Sequence, residues 1–266
     1  MADKKFIAFA AVLVVGITGA GYYAVQDSKV GTLTNEEITV TDKSESLKSL
    51  NDLAEEGVPI AMGKLAREFY DGVNVKRNDE KAFYWANKGH ELNDDVATFI
   101  LARMYFYGEE TKADPQKAIE LLNSIKERKL EVRYILGKMY LDQAKNEPTY
   151  FEKGLAEIRT AADDGLAQAQ YDLANSLRVG ASTDDSKQVN KSAVLKQSAE
   201  YLAMAAAQGY TPAMRLLGLY FYNGVGVPKS TDKGLKLLQE AADNGDLDSA
   251  EILENRDFMI KGLSRG

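Results

Sequence analysis

The sequence predicts an all-α protein: a stack of about five antiparallel helix pairs, capped by a helix at each end and preceded by one hydrophobic helix. Three observations carry this expectation. A glycine-opened phrase returns at a fixed period, so that Gly209 and Gly245 begin successive copies 36 residues apart. Inside each copy a small residue is followed, four to five residues later, by a Leu-small pair, which is helical spacing. The composition, 45% hydrophobic with only 5 prolines, suits a folded, helix-rich chain. A period of this length implies stacking, because one helix pair cannot cover its own apolar face.

The elements follow in chain order. After Lys4 and Lys5 comes an uncharged run, Phe6 to Val25, ending before Gln26 and Asp27. Twenty residues of helix reach about 30 Å, the thickness of bilayer hydrocarbon. Residues 1–25 are therefore expected to be a membrane anchor or a signal peptide. As an anchor, the run would keep the two lysines in the cytoplasm and send the rest of the chain outward, with Tyr22 and Tyr23 at the outer interface. In a bacterium this places an inner-membrane anchor under a periplasmic C-terminal domain. The alternative is a cleaved signal with Phe6–Ile17 as its apolar core and cleavage near Ala20, leaving a secreted or periplasmic protein. A buried soluble helix is a third reading. Residues 26–43 are polar and read as a linker, and residues 44–266 as the repeat domain. Leu47, Leu50, Leu53 and Ala54 then mark a first helix that stops at Glu56-Gly57.

Five copies can be laid over one another. Their first helices carry Ala61 with Leu65-Ala66, Ala97 with Leu101-Ala102, Val132 with Leu136-Gly137, Ala169 with Leu173-Ala174, and Ala213 with Leu217-Gly218. Small residues at these places let helices approach closely, and aromatics one turn later (Phe69, Tyr105, Tyr140, Phe221) fill the space between pairs. Glycine stops are expected at Gly72, Gly108, Gly180 and Gly224. The second helices share Lys81-Ala82, Lys117-Ala118, Lys153-Gly154 and Lys233-Gly234, and three of them end in Ala161-Ala162, Ala205-Ala206 and Ala241-Ala242. The third copy has no stopping glycine, so its first helix is expected to run long before Pro148. The fourth is longer by a polar loop around Ser182–Lys191. After Gly245 a charged helix (Leu247, Ile252, Leu253, with Glu251, Glu254 and Arg256) would close the stack.

These residues resemble Sel-one-like repeats, the tetratricopeptide-related class, over roughly Leu53 to Leu253. The phrase is fullest in Ala213…Leu217-Gly218…Tyr220…Gly224-Val-Gly226-Val-Pro…Ala241-Ala242…Gly245 and good in Gly57…Ala61…Leu65-Ala66…Tyr70-Asp-Gly72…Trp85. The resemblance implies a right-handed α-solenoid with a concave binding surface and adaptor or scaffold roles, often at membranes or in bacterial envelopes. Some members with cysteine-bridged repeats bind small ligands, and this chain has no cysteine.

The charge and the rare residues narrow the function. A net charge of −7, with no Lys/Arg-rich run, argues against nucleic acid as the partner. With 0 cysteines and 1 histidine, disulfides, thiolate chemistry and Cys/His zinc sites are excluded. A triad would have to be built on His90, which instead falls at a second-helix C-terminus and reads as a cap or solvated turn. The acidic groups Asp94-Asp95, Asp163-Asp164, Asp184-Asp185 and Asp243/Asp246/Asp248 lack calcium-loop spacing and read mostly as helix-start caps. Gly224-Val-Gly226 has neither the preceding strand nor the Lys-Ser/Thr of a phosphate loop, and reads as a turn. Trp85 is expected in the core.

What remains is the surface of the first helices. The position after each second small residue holds Arg67, Arg103, Lys138, Asn175 and Leu219. Recurring on neighbouring helices, the first four would form a partly basic ladder able to grip an acidic peptide segment; otherwise they are ordinary solvated positions. The expectation is a non-catalytic protein-interaction scaffold at the cell envelope, needing no cofactor. The alternatives are a repeat protein that binds or hydrolyses small ligands or cell-wall fragments, or a structural subunit of an envelope membrane complex.

Overall fold

The computed structural model describes residues 43–183 and 190–263, and the regular structure within them is helical. The apolar run Phe6–Val25, residues 26–42 of the expected linker and residues 184–189 of the expected loop lie outside, while Lys43, the last residue expected in that linker, already opens the first helix. Among the described residues no helix is long and apolar enough to cross a membrane. The helices are α1 (Lys43–Glu55), α2 (Pro59–Asp71), α3 (Asp79–Glu91), α4 (Asp95–Tyr107), α5 (Pro115–Ile125), α6 (Leu130–Gln143), α7 (Thr149–Asp163), α8 (Ala167–Thr183), α9 (Lys191–Ala207), α10 (Thr211–Asn223), α11 (Thr231–Asp243) and α12 (Leu247–Leu263). The five expected pairs run from α2–α3 to α10–α11, with α1 and α12 flanking them. Two compact units divide within α7, one ending at Gly154 and the other starting at Leu155.

In the first unit the Leu-small pairs form the core. Leu65, Leu101 and Leu136 are buried, as are Ala66, Ala102 and the facing Ala82 and Ala118. Each buried leucine contributes about 1.5–3 kcal/mol relative to exposure. Trp85 is buried as expected. The turns that connect α2 to α3 and α4 to α5 are built alike. The first helix ends on a left-handed glycine, Gly72 or Gly108, whose N–H returns to Glu68 or Met104. The N–H of Asn78 donates to the Phe69 carbonyl at 2.9 Å, and that of Asp114 to the Tyr105 carbonyl at 2.7 Å. The same two residues then cap the next helix, accepting from Lys81 N–H at 2.8 Å and Lys117 N–H at 3.0 Å. A cap of this kind is worth about 1 kcal/mol.

The third pair corrects an expectation. Helix α6 does not run long: it has 14 residues against 13 in α2 and α4. Local bonds replace the missing glycine. The N–H groups of Asn146 and Glu147 both return to the Gln143 carbonyl, at 2.9 and 3.0 Å, and the Glu147 carboxylate accepts from Thr149 Oγ1 at 2.8 Å at the start of α7. A short polar turn satisfies the end groups as well as a glycine cap would.

The second unit repeats the alanine contacts, with Ala161, Ala162, Ala169, Ala174, Ala205, Ala213 and Ala241 all buried. Gly180 is not the stop it was expected to be, since it lies inside α8. The buried Leu177 and Ala181 continue the apolar face past it, so the helix has a reason to go on. Gly224 does end α10, in the left-handed region at φ 76°. Buried polar side chains stitch the helices: Ser198 Oγ donates to the Ala174 carbonyl at 2.7 Å and lies 2.9 Å from Tyr220 Oη. Gln170 Nε2 donates to the Ala162 carbonyl at 2.9 Å.

The acidic groups do not all serve helix starts. Asp94 caps α4 and Asp246 caps α12, accepting from Ala97 N–H at 2.7 Å and Ser249 N–H at 2.8 Å. Asp163, however, closes α7 and accepts from Tyr201 Oη at 2.7 Å. Burial and that contact push the Tyr201 phenol up to about 12.

Candidate interaction surface

The first helices position the four candidate residues through the small residue before each. Ala66, Ala102, Gly137 and Ala174 are buried, and the next residue on each helix is left half-exposed. Arg67 lies on α2, Arg103 on α4 and Lys138 on α6, all in the first unit, while Asn175 lies on α8 in the second.

Helices α2 and α4 pack together. The Arg103 guanidinium lies over the Tyr70 ring, 4.8 Å from its centroid, and 5.9 Å from that of Phe99. Tyr70 stands three residues after Arg67, on the same helical face. Arg77 also lies over Tyr70, at 5.1 Å, and is tied to Asp79 at 2.7 Å and Glu109 at 2.6 Å. Burial raises the Tyr70 phenol above its ordinary value, opposed by the charge of Arg103. An aromatic platform thus holds the half-exposed Arg103, while Asp79 and Glu109 pair with Arg77.

Lys138 is held similarly but locally, with Nζ 5.3 Å from the Tyr134 centroid and donating to Tyr134 Oη at 3.3 Å. Asn175 is engaged within its own helix, where its Oδ1 accepts from Arg178 Nε at 3.2 Å and Nη2 at 2.7 Å. Arg67 enters no ion pair among the described residues. Arg67 and Arg103 therefore lie on helices that pack together, Lys138 belongs to a separate local arrangement, and Asn175 to the other unit. The platform has a signal in the sequence, the i, i+3 spacing of Arg67 and Tyr70, but only packing brings Arg103 to it.

His90 occupies the last turn of α3, as expected, with Nδ1 3.0 Å from Thr98 Oγ1. The Thr98 hydroxyl donates to the Asp94 carbonyl at 2.8 Å, so the proton of the contact belongs to Nδ1. Among the described residues no group of three His, Asp or Glu converges to hold a metal ion.

Helix pairs joined by repeated turns, with alanine and glycine contacts between them, define a stacked helical-repeat protein. The chain belongs to the Sel1 repeat family, whose repeat matches residues 59–94, 96–127, 167–210 and 211–246. The unmatched interval holds α6 and α7, where Pro148 and a polar turn replace the glycine-ended connection. In structure the chain is similar to a Sel1 repeat protein from Oxalobacter formigenes, with a TM-score of 0.58 and 20% identity over 76% of this chain and 86% of that one. That likeness bears on the fold alone. A protective antigen of uropathogenic Escherichia coli displaying an SLR fold gives a TM-score of 0.44 at 22% identity, over 77% of this chain and 50% of that one. In sequence, 157 residues are 28% identical to the alginate biosynthesis protein AlgK of Pseudomonas syringae, covering 59% of this chain and 33% of AlgK. The chain thus spans about a third of the length of that curated relative. Proteins of the Sel1 repeat family act in general as non-catalytic scaffolds for protein–protein interaction.

Proposed function

We propose that this protein is an envelope scaffold that recognises an acidic segment of a protein partner through the first-helix surface bearing Arg67 and Arg103. The observation that carries this reading is Arg103 stacked over Tyr70, which follows Arg67 by three residues on α2. A guanidinium braced on an aromatic ring loses little freedom on binding and stays available to a carboxylate. The family's general role supports an interaction surface over an active site. The run Phe6–Val25 would anchor the chain in the inner membrane with its repeats in the periplasm, raising the local concentration of partners that share that membrane.

The test is crosslinking in intact membranes followed by mass spectrometry, comparing the natural protein with Arg67→Glu/Arg103→Glu. The expected outcome is loss of the crosslinked partners with unchanged membrane retention. Equal recovery from the variant would refute the ladder. N-terminal sequencing of the mature protein tests the anchor, which requires residues 1–25 to remain.

A further inference from the structure

We infer that a second recognition site lies at the N-terminal edge of the repeats: a groove between α1, α2 and the α2–α3 turn that binds an extended acidic peptide through one large apolar side chain. The groove has a volume of about 700 Å³. Its apolar floor includes Leu47, Phe69 and Val75. Lys48 from α1, Lys76 from the turn and Lys81 from α3 are exposed around it. Lys48 and Lys76 enter no ion pair among the described residues, while Lys81 lies over the Phe69 ring at 5.1 Å. The remaining cation, Arg77, is matched by Asp79 and Glu109.

Charge decides the occupant. The chain has 40 acidic and 33 basic residues, yet among the described residues the groove lining holds four cations and no carboxylate. A local reversal of sign in an acidic protein attracts and orients a negatively charged ligand. The floor selects among anions. A free phosphate or a nucleic-acid backbone would leave Leu47, Phe69 and Val75 unused and would favour guanidinium forks over separate ammonium groups. A peptide that sets carboxylates on either side of a Leu or Phe uses rim and floor together. The groove includes neither Arg67 nor Arg103, so this site stands or fails independently of the ladder.

The experiment is fluorescence anisotropy of the full chain with labelled octapeptides: an acidic set with a central Leu or Phe, the same set with Gln and Asn in place of the acids, and an acidic set with central Ser. Anionic phosphatidylserine vesicles serve as a further probe. The acidic apolar set is expected to bind about ten-fold more tightly than either of the others. Lys48→Glu/Lys76→Glu should remove the preference for a central Leu or Phe over Ser within the acidic peptides, which the Arg67 and Arg103 surface does not read, whereas Arg67→Glu/Arg103→Glu should leave that apolar preference intact. Both Lys48 and Lys76 are exposed, and circular dichroism checks that their variant keeps its helix content. Failure of the acidic apolar set to bind better than the neutral one, or its equal binding to Lys48→Glu/Lys76→Glu, would overturn the site. So would a variant that loses vesicle adsorption alone, which would reassign the groove to lipid.

Discussion

The Lys117 ammonium lies 4.0 Å from the centroid of the Tyr105 ring and donates to Tyr105 Oη at 2.7 Å. The relationship recurs through the repeats: Lys81 lies over Phe69 at 5.1 Å, Lys153 over Tyr140 at 5.9 Å, and Lys233 over Phe221 at 5.6 Å. In three of these pairs the ring residue's carbonyl also accepts the N–H of the residue capping the next helix: Asn78 to Phe69, Asp114 to Tyr105, and Ser230 to Phe221. Ring and helix start are thereby fixed together. A lysine in the first turn of a helix faces the positive end of the dipole, which is unfavourable, and the ring face offsets that cost. The pair links the two helices of one repeat, whereas the core leucines and alanines also link repeats to each other.

Replacing Tyr105 with Leu keeps the apolar contact and removes both the hydroxyl and most of the ring's attraction for Lys117. The expected loss is about 0.5–1 kcal/mol, read as a lower urea midpoint with unchanged slope. In Lys117→Met the same Tyr105→Leu change should cost less. Equal costs in the two backgrounds would show that the pair is only a neighbour contact.

Gly234 faces Gly218 across the closest approach of α10 and α11. A Cβ at 234 would stand 2.7 Å from the Gly218 carbonyl oxygen and 2.8 Å from Tyr222 N, both backbone atoms that cannot swing aside. Gly234→Ala should therefore destabilise the protein by about 1–3 kcal/mol, despite alanine's better helix propensity. Urea unfolding reads this directly. A gain in stability would mean that the two helices can separate at little cost.

The architecture was legible because its signals are local and repeat. The Leu-small pairs, the glycines at 72, 108 and 224, and the caps each act within a few residues, and a fixed period lets one copy explain the next. The two misreadings, Gly180 and the end of α6, fall in the copies whose turns depart from that phrase. There a glycine sits inside an apolar face that continues through Leu177 and Ala181, and side-chain and backbone bonds near Gln143 do a glycine's work. The candidate site was legible only in part. Both the lysine and the aromatic columns stand in the sequence at the repeat spacing, but their meeting is a property of the turn. Arg103 reaching Tyr70, 33 positions away, depends on packing between repeats and has no local signature.

Arg215 and Asp246 provide the pH prediction. Arg215 Nη1 lies 2.6 and 2.5 Å from the two Asp246 carboxylate oxygens and 2.8 Å from Asp248 Oδ2, joining α10 to the start of α12. The Asp246 side chain is only 7% exposed. Burial alone would raise its pKa, but the bonds from Arg215 and Ser249 outweigh it and hold the carboxyl below its ordinary value. A carboxyl whose folded value lies below its unfolded one binds fewer protons in the folded state. Its stabilisation is therefore complete above the unfolded value, near 4, and is lost as pH falls through the folded one. Asp246→Asn can still cap Ser249 but cannot carry the charge. At pH 7 it should lower the unfolding free energy by about 1–2 kcal/mol, the scale of a charge-assisted bond with limited solvent access. That gap between the natural protein and the variant should narrow steadily below about pH 4. Parallel urea titrations of both proteins across the acid range measure it, and a gap independent of pH would show that the carboxylate charge at 246 contributes nothing.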